Sequence, residues 1–130
     1  MEDPMSREIL IVVRHGPYSG FQAAEGLRHA NGAISLGFRP ILVLVDDGVY
    51  LAKADQNSGQ NQWLSLSETL EEIIARGLYE RKDAPAEFYV ETQSLLKRSL
   101  DPEELVEGLE LIDHQRVSEF MALNRLQLIF

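Results

Sequence analysis

The stretch ILIVVRHGPYSGFQAAEGLRHANGAISLGFRPILVLV, residues 9–45, decides how the chain folds. It opens and closes on unbroken aliphatic runs, ILIVV at 9–13 and ILVLV at 41–45. Neither run alternates with polar residues, so both suit strands buried on two faces, as in a parallel sheet. Between them Ala23, Leu27, Ala30 and Ile34 recur at spacings of four, three and four, which is one stripe of a helix. Gly37 stands where a helix C-cap glycine is expected, and Pro40 leads into the second run. The segment is therefore a β-α-β unit, a connection that is right-handed by strong preference.

The rest of the chain continues the alternation. ADQNSGQNQW at 54–63 reads as a mobile, amide-rich loop, within which Trp63 is either a local core anchor or a partner contact. Ser65 and Glu68 have capping-box spacing, and Leu66, Leu70, Ile73 and Gly77 mark the helix that follows. EFYV at 87–90 is a third strand, and Asp101-Pro102-Glu103-Glu104 has the signature of another helix start. LELI at 109–112 is a fourth strand, HQRVSEFMALN a helix with Val117, Phe120 and Met121 on one face, and LQLIF at 126–130 a fifth strand. The expected fold class is α/β: a three-layer α/β/α domain around a parallel sheet of about five strands. Residues 1–130 form one domain, with 1–7 a flexible tail lacking the layout of a secretory signal.

Composition narrows the chemistry. There is no cysteine among the 130 residues, which removes disulfides, thiolate metal sites and any cysteine nucleophile. With 21 acidic and 12 basic side chains the net charge is −9, a surface that repels phosphate backbones, so no direct nucleic-acid partner is expected. No run approaches the roughly 18 apolar residues of a membrane span, and the protein is placed in the cytoplasm, away from membranes. Six carboxylates and no Lys or Arg lie between Ser99 and Gln115. They read as a solvated helix face, or else as a docking face for a basic partner.

Arg14-His15-Gly16, just past a buried strand, is how a histidine phosphatase presents its nucleophile, with His114 past a later strand as its second histidine. That chemistry needs several cations around phosphate. Asp46 and Asp47 stand where a further arginine belongs. His114 is more simply a strand-end histidine bonded to neighbouring backbone. Two adjacent acids do not make a receiver-type magnesium site, and no glycine-rich nucleotide loop is present, so neither metal nor cofactor is expected.

Several fragments in one register resemble the DsrE/DsrF/DsrH proteins, whose relatives in tRNA thiolation are TusD, TusC and TusB. They are GPYSGFQAAEGLRHA (16–30), VLVDDGVYLAK (43–53), and LELIDHQRVSEFM with LQLIF (109–130). The Pro17-Tyr18 loop, the Asp46-Asp47-Gly48-Val49-Tyr50 run and the IDHQRVSEFM ending point to the DsrF/TusC type. The resemblance implies sulfur relay, in sulfur oxidation or in tRNA thiolation, within an oligomer of related subunits. In that family one subunit type carries a persulfide on a cysteine just after the third strand. That position falls here at or next to Glu91, and a carboxylate cannot hold sulfane sulfur.

The implied role is that of a non-carrier, non-catalytic subunit. Its partners would be DsrE/TusD-like and DsrH/TusB-like subunits and small sulfur-carrier proteins. The alternatives are a free-standing homo-oligomer of the same fold and a small phosphatase using His15. The candidate interface or pocket residues are Pro17, Tyr18, Asp46, Asp47, Gly48, Val49, Tyr50 and Glu91, all expected at the carboxyl edge of the sheet. Gly48 is read as permitting a turn after the strand. Val49, Tyr50 and Leu51 then pack either on their own domain or on a neighbouring subunit.

Overall fold

The computed structural model describes residues 7–54, 65–80 and 84–130. Strand β1 (Glu8–Val13) leads through helix α1 (Gln22–Ser35) to β2 (Arg39–Leu44). A 3₁₀ helix, Asp46–Ala52, and α2 (Leu66–Tyr79) precede β3 (Glu87–Glu91), which runs directly into α3 (Thr92–Lys97). β4 (Glu110–Ile112), α4 (His114–Leu123) and β5 (Gln127–Ile129) complete the chain. Among the described residues all four strand pairings are parallel, in the order β4-β3-β2-β1-β5. The expected three-layer α/β fold and its five strands are present.

The topology follows from crossover handedness. From β1 to β4 each strand is laid beside its predecessor in one direction, so right-handed connections stack α1, α2 and α3 on one face. The last connection jumps back to the far side of β1, and the same rule sends α4 to the opposite face. Burial records both layers. Ile9, Ile11, Val13, Leu42, Leu44, Phe88 and Val90 pack with Leu27, Leu70, Ile73 and Leu95 of the first three helices. The alternate residues Leu10, Val12, Ile41, Val43 and Tyr89 pack with Val117 and Phe120 of α4. Strands that are apolar on both faces are thus covered on both.

Local signals that hold do so for identifiable reasons. The α1 stripe of Ala23, Leu27, Ala30 and Ile34 is buried throughout. Gly37 adopts φ 86°, with its N–H on the Ile34 carbonyl and that of Phe38 on Ala33, a Schellman closure that glycine makes without strain. Ser65 Oγ accepts from the Glu68 N–H at 3.5 Å at the start of α2. Gly48 is needed for space, not for a turn: its φ is ordinary, and a Cβ there would lie 2.0 Å from the Val13 carbonyl oxygen.

Three expectations are corrected. Asp101 does form a capping box with Glu104, yet the helix stops after the 3₁₀ turn Pro102–Glu104. The backbone beyond it finds partners outside: Val106 N–H donates to the Ala52 carbonyl, Ala54 N–H to Glu104, and Lys53 bridges Leu105 in antiparallel fashion. A cap nucleates a turn, but tertiary pairing ends it. The six carboxylates between Ser99 and Gln115 are exposed as expected, on turns and a strand end and not on one helix face. Met121 is 37% exposed and does not share the burial of Val117 and Phe120. Trp63, most of the 54–63 loop and residues 1–6 of the expected tail lie outside the described residues. Among the described residues no helix is long and apolar enough to cross a membrane.

On the α4 face the amino ends of the strands carry a charged network. Arg39 pairs with Glu8 at 2.8 Å and Glu87 at 3.1 Å. The Tyr89 ring stacks on Phe120 at 5.2 Å, and its hydroxyl donates to Glu87 Oε1 at 3.0 Å. Burial first, and then the Glu87 carboxylate, push the Tyr89 phenol up to about 12. The fold therefore favours the neutral phenol, and this stability is complete below about pH 10 and lost as pH rises towards 12. We expect Tyr89→Phe to flatten the alkaline loss of stability in that window, an effect on the order of 2 kcal/mol. Urea denaturation across pH 9 to 12 measures it, and a 295 nm titration should lose the tyrosine that ionises near 12.

Candidate functional site

The carboxyl edge gathers its chemistry on the α4 side. Side chains alternate along β3, so Glu91 faces the same way as Tyr89, towards α4, and it is only 7% exposed. β3 and β4 are in register at Glu91 and Ile112, so the chain beyond β4 starts its helix beside the Glu91 carboxylate. Asp113 caps that helix by accepting from the Arg116 N–H at 2.8 Å, which makes His114 its first residue. His114 Nδ1 lies 3.1 Å from Glu91 Oε2. The expected backbone partner for this histidine is therefore corrected: its ring meets a buried carboxylate.

The other carboxylate oxygen is also held. Ser94, on the first turn of α3, donates its hydroxyl to Glu91 Oε1 at 2.6 Å and is itself 2% exposed. Ser94 Oγ in turn accepts the Asp46 backbone N–H at 2.8 Å. Asp46 has φ 50°, a left-handed conformation uncommon outside glycine, which carries the chain from β2 into the 3₁₀ helix. One line of hydrogen bonds thus joins the ends of β2, β3 and β4: Asp46 N–H, Ser94, Glu91, His114. A buried carboxylate is tolerable only when so supplied with donors.

Asp46, Glu91 and His114 of this line form one wall of an open cavity of about 550 Å³. Arg14, Asp46, Glu91, Gln93, Lys97 and His114 give it polar groups, and Val12, Val45, Val117, Met121 and Ile129 give it apolar ones. Arg14 Nε pairs with Asp46 at 3.2 Å, both side chains more than half exposed, and such a pair contributes about 0–1 kcal/mol. Arg98 pairs with Asp47 at 2.9 Å just outside the cavity.

The residues expected at the edge separate into three groups. Asp46 and Glu91 line the cavity. Pro17 is half-buried and Tyr18 is 63% exposed on the loop after β1, Asp47 is exposed, and Tyr50 is 36% exposed; none of the four lines it. Gly48 and Val49 are interior, as is Leu51, because the 3₁₀ helix rolls their backbone and side chains under the sheet edge. Those positions are core and present nothing to a partner. His15 is exposed and not part of the cavity lining. Ser94, Gln93 and Lys97 carry no mark of this site in the sequence, while Arg14 and His114, brought forward there only as parts of a phosphatase, both line the cavity. The one sequence signal for their meeting is that FYVE and LELID each end a strand immediately before a helix.

The model of the DsrE/DsrF-like family matches residues 7–126, almost the whole chain. The chain belongs to the DsrE/DsrF-like family. A protein named TusC homolog from Pseudomonas aeruginosa is 29% identical over 120 residues, 90% of this chain and 92% of that one. An uncharacterized protein from Methanopyrus kandleri is 30% identical over 103 residues, covering 79% and 77% of the two chains. Among solved structures, the ychN protein from E. coli superposes with a TM-score of 0.79 at 19% identity, over 95% of this chain and 99% of that one. A protein of unknown function from Methanobacterium thermoautotrophicum gives 0.67 at 11% identity, over 95% and 98%. The DsrE-like fold is thereby shared with both.

Removing the Ser94 hydroxyl leaves a buried carboxylate oxygen and the Asp46 N–H each short of a partner. Ser94→Ala should therefore lower stability by about 1–3 kcal/mol, read as a lower urea midpoint at unchanged slope. A neutral result would show that Glu91 is not held through this hydroxyl.

Proposed function

We propose that this chain is a non-carrier subunit of a sulfur-relay complex of the DsrEFH/TusBCD kind, one that positions a cysteine-bearing partner for persulfide transfer. The observation that carries it is a family match over nearly the whole chain together with the complete lack of cysteine. Sulfane sulfur travels on thiolates, so this chain can shape and serve a transfer site but not load it. The similarity to a TusC homolog supports the subunit type. Exposed aromatics on segments leaving the carboxyl ends of β1 and β2 (Tyr18, Phe21 and Tyr50) suit a contact surface, because aromatics bring much area at small rotamer cost. The partners under this reading are DsrE/TusD-like and DsrH/TusB-like subunits and a small sulfur carrier. The arginines beside the edge are tied to Asp46 and Asp47, which argues against a phosphate clamp around His15.

Incubated alone with a persulfide donor, the protein should gain no mass of a sulfur atom. Co-expressed with a cysteine-bearing DsrE-like chain, it should co-elute on size exclusion, with added sulfur found only on that partner. Tyr50→Asp should weaken the assembly by burying an unpaired charge. A native protein that stays monomeric with every such partner would contradict the proposal, as would a stoichiometric phosphohistidine at His15.

A further inference from the structure

We propose that His114, with its ring held by Glu91, is the acid–base group for sulfur transfer onto a partner's cysteine, and that Glu91 and Ser94 are its positioning residues. The inference rests on the subunit reading above and assigns the chemistry of the cavity within it. A carboxylate only accepts hydrogen bonds, so the contact of 3.1 Å between Glu91 Oε2 and Nδ1 requires the proton on Nδ1. The neutral ring then keeps its basic lone pair on Nε2. The imidazole is 74% exposed and lines the open cavity, while the Glu91 side chain beneath it is 9% exposed and fixed by Ser94. A buried acid orienting an accessible histidine is the arrangement a general base needs.

The charged groups facing His114 around the cavity are Glu91, Arg14 with its partner Asp46, and Lys97. On its own helix Asp113 caps the first turn, and Arg116 pairs with Glu119 while lying over Phe120. Among the described residues no carboxylate pairs with Lys97, so its ammonium is available to an anion formed in the cavity. The apolar side, Val12, Val117 and Met121, suits the soft sulfur and the methylene that carry that anion. No group of the chain can itself be the sulfur nucleophile, so the nucleophile enters from outside.

The step balances without an oxidant or reductant. The partner's thiol gives its proton to His114 Nε2, and the thiolate attacks the outer sulfur of a donor persulfide. The donor's S–S bond breaks as the new one forms, and the departing thiolate takes the proton back from Nε2. The partner now holds the persulfide, the donor is a thiol, and His114 is restored.

The test uses the complex with the co-purified cysteine-bearing DsrE-like subunit and glutathione persulfide as donor. Single-turnover loading of the partner cysteine is followed by mass from pH 6 to 9.5. A thiol of ordinary pKa about 8.5 is roughly 3% ionised at pH 7, which limits the benefit of a base there to about thirtyfold. His114→Asn, whose amide can still donate to Glu91, should load about tenfold more slowly than wild type at pH 7 and equally fast near pH 9.5, where the thiol ionises unaided. Glu91→Gln should show the same pH-selective loss. Both variants should co-elute with the partner as wild type does. A rate unchanged at pH 7, or a loss uniform with pH, overturns the assignment of His114 and leaves the subunit reading standing. Failure of the wild-type pair to co-elute overturns both.

Discussion

A sheet that is apolar on both faces must be covered twice, and the right-handedness of parallel crossovers decides which helix does what. Three forward steps, β1 to β4, spend α1, α2 and α3 on one face, so the other face falls to the single helix of the return connection. That helix has to begin where β4 ends, at the carboxyl edge, and cross towards β1 to release β5. Its first residue is therefore set down beside the end of β3. The pairing of His114 with Glu91 is a consequence of this topology, since the two are 23 residues apart and share no local element.

The same constraint explains what could be read in the sequence. Strands buried on two faces are written as unbroken aliphatic runs, so β1 and β2 were plain, and the α1 stripe between them fixed the first crossover. Signals that depend on neighbours were less secure. Asp101 and Glu104 form the capping box their spacing promised, but Val106 and Ala54 find backbone partners across the domain and the helix ends after one turn. Val49, which follows a strand and a glycine, was open to two readings, core or subunit contact. It is core because the 3₁₀ helix tucks it inward, with Gly48 pressed against the Val13 carbonyl.

At the site, Asp46 and Glu91 were legible from the family resemblance, while their roles were not. Glu91 stood out only as a thiol's replacement. The structure gives it positive content: a carboxylate nearly out of solvent, with one oxygen on Ser94 and the other on His114. Each member supports the next, from the left-handed Asp46 whose N–H steadies Ser94 to the ring left open at the cavity. Such a line contributes little net stability compared with an apolar core of equal volume. Its value lies in fixing one orientation and one proton position on an exposed ring, which surface histidines ordinarily lack.

That proton position is directly measurable. Long-range ¹H–¹⁵N correlation spectra of the imidazole at neutral to mildly alkaline pH distinguish a protonated Nδ1 from a protonated Nε2. The account predicts that neutral His114 is the Nδ1–H form and that Glu91→Gln abolishes this preference. A neutral His114 found mainly as the Nε2–H form, or a spectrum indifferent to Glu91→Gln, would contradict it.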